Sequence, residues 1–363
     1  MEFEKYRLSQ LLTIKNGRDY KSLGQGSVPV FGSGGYMCSV DSYLYDRPSV
    51  LLPRKGTLSN IQYYDKGPFW TVDTCYYTIV DKNLVNSYYI YRYLRNLNLS
   101  GLDTGASIPS MTQKTYNGIK ILLPNLSIQH RIASILSTYD SLIENNTKRI
   151  RLLEKMAENL YKEWFVRFRF PGHENVEMEN GLPKGWKRGS LSDVCEFKRG
   201  KNITSSEMQE GNVPVISAGL EPSGYHSCSN VRGVNVTMSS SGANAGYIAI
   251  HYSDIWAADC SYIEESTTGN IYYVYELLNN IRTVINNFQR GAAQPHVYPK
   301  DVNRIKLILP SKELMLKANG RLEIMHKEIY NLQKQNSLLA RQRDLLLPRL
   351  MSGKLEVKEG LLE

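Results

Sequence analysis

The chain has 363 residues, 42% of them hydrophobic, which is enough to bury a substantial core and points to two domains. Lys and Arg outnumber Asp and Glu by 44 to 35, giving a net charge of +9 and a mild pointer to a polyanionic partner. No run of about 18 apolar residues marks a membrane span. The charged start MEFEKYRLSQ is unlike a signal peptide, and the five cysteines (38, 75, 195, 228 and 260) lack any C-x-x-C that would support a disulfide framework or zinc site. A soluble protein of the reducing cytoplasm is the expectation. Tyrosine is abundant at 25 residues, and its ring and hydroxyl suit recognition surfaces.

Residues 1–124 read as strands and glycine-rich turns. Ser49–Leu52 and Trp70–Val80 are rich in β-formers, a short helix is expected over Ser87–Leu97, and a buried strand over Ile119–Pro124. Residues 125–166 then read as one long helix, since Ser127–Phe165 contains neither glycine nor proline. Its apolar stripe runs through Ile132, Ile135, Leu136, Tyr139, Leu142, Ile143, Ile150, Leu153, Met156, Ala157, Leu160 and Trp164. A helix of nearly 60 Å at about 1.5 Å per residue is a rod that needs a partner. Residues 167–186, rich in Gly, Pro and polar side chains without periodicity, read as a linker.

From Trp186 the chain starts again. Leu8-Ser9 and Lys15-Asn16-Gly17 are echoed by Leu191-Ser192 and Lys198-Arg199-Gly200, and Val28-Pro29-Val30 by Val213-Pro214-Val215. Beyond Val50 the offset is constant at 186: Gly56 meets Gly242, Trp70 meets Trp256, Asp73 meets Asp259, and residues 105–124 overlay 291–310 with nine identities. The rod repeats too, with Ile143, Asn145, Lys148, Leu152, Leu153 and Leu160 falling on Ile329, Asn331, Lys334, Leu338, Leu339 and Leu346. Residues 187–310 thus form a second globule, 311–350 a second rod with its helix over Glu313–Leu347, and 351–363 a tail. Asn319-Gly320 is a place where the second rod would kink or begin late. The fold class is α+β: two pseudo-repeated, mostly-β domains joined by two long antiparallel coiled-coil helices. In that register Asn146 and Asn336 fall on seam positions, where they either fix alignment or face water at the stripe's edge.

Catalytic signatures are missing. Phe31-Gly-Ser-Gly-Gly35 resembles a cofactor-binding turn only superficially, because no helix follows it. There is no Asn/Asp-Pro-Pro-aromatic tetrapeptide for a flipped base, no phosphate-binding G-x-x-x-x-G-K-[ST], and no nuclease-like carboxylate set. His296, in a repeated turn, reads as structural. The binding candidates are basic and amide-bearing turns: Lys15, Asn16, Arg18, Tyr20 and Lys21 in the first globule, Lys198, Arg199, Lys201 and Asn202 in the second. Lys and Arg neutralise phosphates, and Arg, Asn and Lys read purine edges; a solvated turn is the bland alternative. Arg54, Lys55, Thr57 and Asn60 surround Gly56, and Ser240, Ser241 and Asn244 surround Gly242, where glycine allows close backbone approach. Divergence inside this shared frame is what two readers of different sequences would show. Lys114 and Arg290, beside Gln113 and Gln289, are further candidates, whereas Trp70 and Trp256 read as core.

Several stretches carry a family resemblance across nearly the whole chain: Gln129-His-Arg-Ile-Ala-Ser-Ile-Leu, Leu160-Tyr-Lys-Glu-Trp-Phe165, Phe170-Pro-Gly-His-Glu with Pro183-Lys-Gly-Trp186, Ser241-Gly-Ala-Asn-Ala-Gly-Tyr247, and Leu345-Leu-Leu-Pro-Arg-Leu. The chain resembles the specificity subunit of a type I restriction-modification system. The second rod departs from that pattern in lacking the Gln-x-x-Ile-Ala entry. The resemblance implies a DNA-binding, non-catalytic subunit whose two target-recognition domains read the halves of a bipartite double-stranded DNA site, with the helices setting the spacer. It also implies two modification (methyltransferase) subunits that bring S-adenosylmethionine, restriction (motor-nuclease) subunits that use ATP and Mg, and no cofactor in this chain. Arg131, Lys148, Arg151, Lys155 and Lys162 would then be partner contacts or simply a solvated face. A coiled-coil scaffold that does not bind DNA is the alternative.

Overall fold

The computed structural model describes residues 2–97, 99, 109–291, 293–355 and 357. Residues 105–108 and 292 of the duplicated stretch lie outside them. The chain divides into two compact units, residues 1–145 with 336–363, and residues 146–335.

In the first unit the strand Ser49–Pro53 is buried along its whole length, as its run of apolar residues dictates. It lies in a four-stranded sheet ordered Leu12–Asn16, Cys75–Val80, Ser49–Pro53, Gln62–Tyr64. A three-stranded sheet, ordered Gly35–Val40, Gln25–Gly32, Trp70–Thr71, includes a parallel pairing of Val30 with Trp70. A separate ladder joins Glu4–Arg7 to Lys120–Leu123. The helix Ser87–Asn96 starts where the Asn86 side chain accepts from the Tyr88 and Tyr89 N–H groups, satisfying two otherwise orphaned donors.

The second unit repeats these three sheets and adds a short hairpin, Met178–Glu179 with Leu182–Pro183. Its four-stranded sheet is ordered Lys198–Arg199, Cys260–Glu264, Asn235–Ser239, Ile248–His251; its three-stranded sheet is Gly224–His226, Val213–Ile216, Trp256–Ala257, again with a parallel pairing, Val215 to Trp256. Lys187–Ser190 pairs with Lys306–Leu309 as the terminal ladder. The duplication in sequence is therefore a duplication of topology.

The first long helix spans Leu126–Tyr161 and ends in a wide π turn, Lys162–Val166. The second spans Lys312–Met351. Within the first unit Arg343 Nη1 meets Asp140 Oδ1 at 2.6 Å. Within the second, Arg149 pairs with Glu328 at 2.8 Å, and the Arg321 guanidinium lies 5.3 Å from the Trp164 ring centroid. Later residues of one helix meet earlier residues of the other, so the pair is antiparallel. Each unit's segment of the stripe enters its own core: Ile132, Ala133 and Leu136 with Leu347, Leu350 and Met351 in the first, Ala157, Tyr161 and Trp164 with Leu314, Ala318 and Leu322 in the second.

Four expectations need correction or refinement. Leu142 and Met156 are 47% and 53% exposed, because the seam runs through residues 143 and 157 and each is about 100° to its side. Asn146 does lie in the seam, 8% exposed, with its amide donating to Gln335 Oε1 at 3.5 Å, while Asn336 is half-buried. Asn319-Gly320 does not break the second helix. Instead Asn319 Oδ1 accepts from the Tyr272 and Tyr273 N–H groups at 3.1 and 3.2 Å, capping the helix Ile271–Asn280 from outside, where its own Asn270 provides no side-chain cap. Finally, the linker is part of the second unit's core: Phe170 is buried and stacks on Trp186, with centroids 5.8 Å apart, and a tight hairpin turns at Asn180-Gly181, both at positive φ.

Candidate nucleic-acid interface

Strand register decides which candidate residues can meet. In the first unit Asn16 lies opposite Tyr76, Leu52 lies opposite Tyr76 on the other side, and Pro53 opposite Cys75. The basic turn after Lys15 and the loop after Pro53 therefore leave the sheet at the same end. In the second unit Arg199 lies opposite Ser261, as does Met238, with Ser239 opposite Cys260, so the corresponding turn and loop also share one end.

Each basic turn is fastened by a duplicated set of contacts. The Trp70 indole N–H donates to the Arg18 carbonyl at 2.8 Å, and that of Trp256 to the Lys201 carbonyl at 2.9 Å. The Arg18 N–H donates to Thr71 O at 2.8 Å, and the Lys201 N–H to Ala257 O at 2.9 Å. Gly17 and Gly200 are required by this proximity: a Cβ on Gly17 would sit 2.0 Å from Val72 O, and one on Gly200 2.4 Å from Ala258 O. Trp70 is buried and Trp256 half-buried, and both indoles hold a turn as well as packing. The exposed side chains of Lys15, Asn16, Lys198, Arg199, Lys201 and Asn202 therefore stand on a fixed backbone, with Arg18 more exposed than its neighbour Gly17.

The glycine loops are equally alike. Gly56 (φ +89°) donates its N–H to Pro109 O, and Gly242 (φ +74°) to Pro295 O, both at 2.9 Å. Through their backbones Lys55 pairs with Ser110 as Ser241 does with His296, and His296 also pairs with Arg290, which brings Arg290 to the same end. The Arg290 guanidinium pairs with Asp301 at 2.8 Å. Lys114 is exposed on the helix Gln113–Asn117, whose first residue donates its side-chain amide to Asn16 Oδ1 at 3.0 Å.

The side chains divide sharply. Arg54 is half-buried, donates Nη1 to Asp73 O at 3.3 Å and lies 6.0 Å from the Tyr76 ring centroid; Lys55 and Thr57 are exposed. Asn60 turns inward, its amide donating to Ser33 O at 2.7 Å. Ser240, 1% exposed, has a buried hydroxyl without a hydrogen-bond partner among the described residues, and Ser241 is buried with its hydroxyl donating to Asp259 Oδ2 at 2.6 Å. Asn244 is half-buried in the turn Gly242–Asn244. Tyr20 packs beside Val30, Val40 and Trp70, and Lys21 is exposed next to it. Asp259 gains a role that no motif assigned. Its Oδ1 also accepts from Arg199 Nη2 at 2.7 Å, so one carboxylate ties the basic turn to the glycine loop. Its signal in the sequence is the repeat of Asp73 as Asp259.

Neither buried thiol near these ends is poised as a nucleophile. Burial pushes the Cys75 and Cys260 thiols up to about 12, far from the thiolate a nucleophile needs. Among the described residues no group of His, Cys, Asp and Glu side chains could hold a metal ion, and no helix is long and apolar enough to cross a membrane. What the ends offer is cations, amides and close backbone, the chemistry of polyanion and base-edge recognition.

A duplicated α+β frame with paired long helices and a basic end on each globule fits a DNA-recognition protein of bipartite design. The profile described as the type I restriction modification DNA specificity domain matches residues 1–155 and 183–336, and the chain belongs to that family. It is 25% identical to the type I restriction enzyme MjaIX specificity subunit of Methanocaldococcus jannaschii, over 87% of this chain and 79% of that one. It is 24% identical to a putative type I specificity subunit of Mycoplasma genitalium, over 81% and 78% respectively. The crystal structure of the type I restriction-modification system S subunit from M. genitalium shares the fold, with a TM-score of 0.68, 20% identity and 96% coverage of both chains. The chain is a DNA specificity subunit of the type I class.

Proposed function

We propose that the exposed cations and amides at the end of each four-stranded sheet form the DNA-contacting surface, one surface per half-site. The observation that carries this is the duplicated anchorage of the basic turns by Trp70 and Trp256. A merely solvated turn has no need of an indole hydrogen bond and a glycine pressed against a neighbouring carbonyl. Lys15, Arg18 and Lys198, with no carboxylate partner among the described residues, and Lys201, exposed beside them, suit phosphates and confer salt-dependent affinity. Base discrimination comes from the residues that differ between the repeats.

The long helices, 36 and 40 residues, are the spacer that sets the unread gap between half-sites. They also dock two modification subunits: Leu152 and Leu338, at matching positions, expose apolar side chains that the two-helix seam does not use. Of the charged candidates, Lys155 and Lys162 both pair with Glu158, and Arg151 is exposed. Methyl transfer with S-adenosylmethionine, and ATP- and Mg-dependent cleavage by restriction subunits, belong to the assembled complex.

The test is binding of the chain, assembled with its modification partner, to duplexes carrying both, one or neither half of the target over a range of salt. The expected result is steep salt dependence, with the intact site held far more tightly than either half. A flat salt response would mark a protein scaffold instead, and methyl transfer by the chain alone with S-adenosylmethionine would contradict a noncatalytic role.

A further inference from the structure

Position 16 of the first unit and position 199 of the second are equivalent, one residue before the anchored glycines Gly17 and Gly200. Both side chains are exposed at the sheet end, and each is braced by a different neighbour. Asn16 Oδ1 accepts from the Gln113 amide at 3.0 Å. Arg199 Nη2 donates to Asp259 Oδ1 at 2.7 Å, and Asp259 is itself held by the Ser241 hydroxyl at 2.6 Å.

Bracing has a chemical consequence in each case. An isolated exposed arginine attracts phosphate, but a carboxylate beside Arg199 offsets its charge, so long-range pull on a polyanion is weak. Its remaining N–H donors stay in the fixed planar fork that matches two acceptors side by side. Guanine O6 and N7 present that pair in the major groove. Asn16 keeps both amide hydrogens and a second carbonyl lone pair free of Gln113, the donor–acceptor set that matches adenine N7 and N6. Fixing a side chain by a second layer of hydrogen bonds removes the rotamer entropy that binding would otherwise cost.

We propose that Asn16 and Arg199 are the equivalent base-reading side chains of the two units, Asn16 reading an adenine in one half-site and Arg199 a guanine in the other, with Gln113 and Asp259 as their positioning residues. This rests on the reading of the sheet ends as DNA-contacting surfaces. The flanking Lys15 and Lys198 bind phosphate.

The test uses the intact complex with modification subunits and sequences the methylated sites it leaves on host DNA. Arg199→Lys keeps the charge and removes the fork. The expected result is relaxation at one guanine position of one half-site by roughly tenfold or more, with the other half-site and the salt dependence unchanged. Asn16→Ala is expected to relax one adenine position in the opposite half-site. Asp259→Asn and Gln113→Ala should relax the same positions more weakly while complex assembly and thermal midpoint stay near those of the parent, which a merely structural role would not produce. An unchanged target, a relaxed base other than the one named, or a uniform loss of affinity with a shallower salt slope overturns the proposal while leaving DNA recognition intact. Absence of sequence-specific, salt-dependent binding by the parent complex would instead remove the reading beneath it.

Discussion

The two units share a backbone plan and the bonds that fasten its basic turns, and differ where the long helices meet the domains. Around the basic turns the hydrogen bonds are duplicated almost atom for atom: indole to turn carbonyl, turn N–H to strand carbonyl, glycine N–H to proline carbonyl. Where helices meet domains, the chemistry diverges. Asp140 and His326 occupy the same place in the repeat, 186 residues apart, yet Asp140 bridges Arg92 and Arg343, whereas His326 lies between Tyr252 and Glu276. Backbone geometry is thus the invariant of the duplication. Side-chain chemistry is free to change wherever a local partner changes with it.

The largest effect that would break this equivalence is expected at Asp140. Arg92 is 2% exposed, and Asp140→Ala leaves its guanidinium without a counter-charge, which costs about 3–5 kcal/mol. Chemical denaturation of the chain followed by hydrogen exchange should show the loss in the first unit, with the second unit's core amides keeping their protection. Next come the anchored glycines. Gly17→Ala and Gly200→Ala each drive a Cβ into a backbone carbonyl, costing about 1–3 kcal/mol and displacing one basic turn. Duplex binding should then lose discrimination at one half-site only, a different half for each variant; loss at both would mean that the turns are not independent readers.

A smaller contrast lies at His251, which stands where the first unit has Asp65 and whose ring Nε2 meets Thr237 Oγ1 at 2.8 Å. Burial lowers its pKa from 6.5 to about 4. Between those values the unfolded chain binds the proton and the folded chain does not, so the stabilisation is complete above about pH 6.5 and lost as the pH falls toward 4. Its size, discounted for partial exposure, is about 2 kcal/mol. His251→Gln should flatten the acid limb of the second unit's unfolding midpoint and leave the first unit's unchanged. Asn319→Ala, which removes the borrowed helix cap, should cost about 1 kcal/mol by thermal unfolding; an unchanged midpoint would show the cap to be dispensable.

Much of the fold was legible because it is written in periodicity and repetition. The rods follow from an apolar stripe without Gly or Pro, and the doubled domains from an offset that a single chain displays to itself. Trp70 and Trp256 were legible as a repeated pair and read as core; that their indoles anchor the basic turns depends on contacts 52 and 55 residues apart. Finer features depend on distances between residues far apart in sequence. Whether Ser240 and Ser241 face solvent is decided by the loop's direction after Ser239, and Asp259's grip on both Arg199 and Ser241 joins three segments that no local pattern connects. Asn319 looked like a helix breaker because the N–H groups it caps lie 46 and 47 residues away. The linker read as polar connection, since its few aromatics show no period; they gather only on Trp186.

One measurement asks most directly whether two readers share a frame and the helices set the distance between the sequences they read. Seven residues are removed from each long helix, residues 145–151 and 330–336, preserving the heptad phase of the seam, and the methylated sites left by the assembled complex are sequenced. At about 1.5 Å per helical residue and 3.4 Å per base pair, the expected result is the same two half-site sequences separated by a gap about three base pairs shorter. The same half-sites at the parental gap would contradict it.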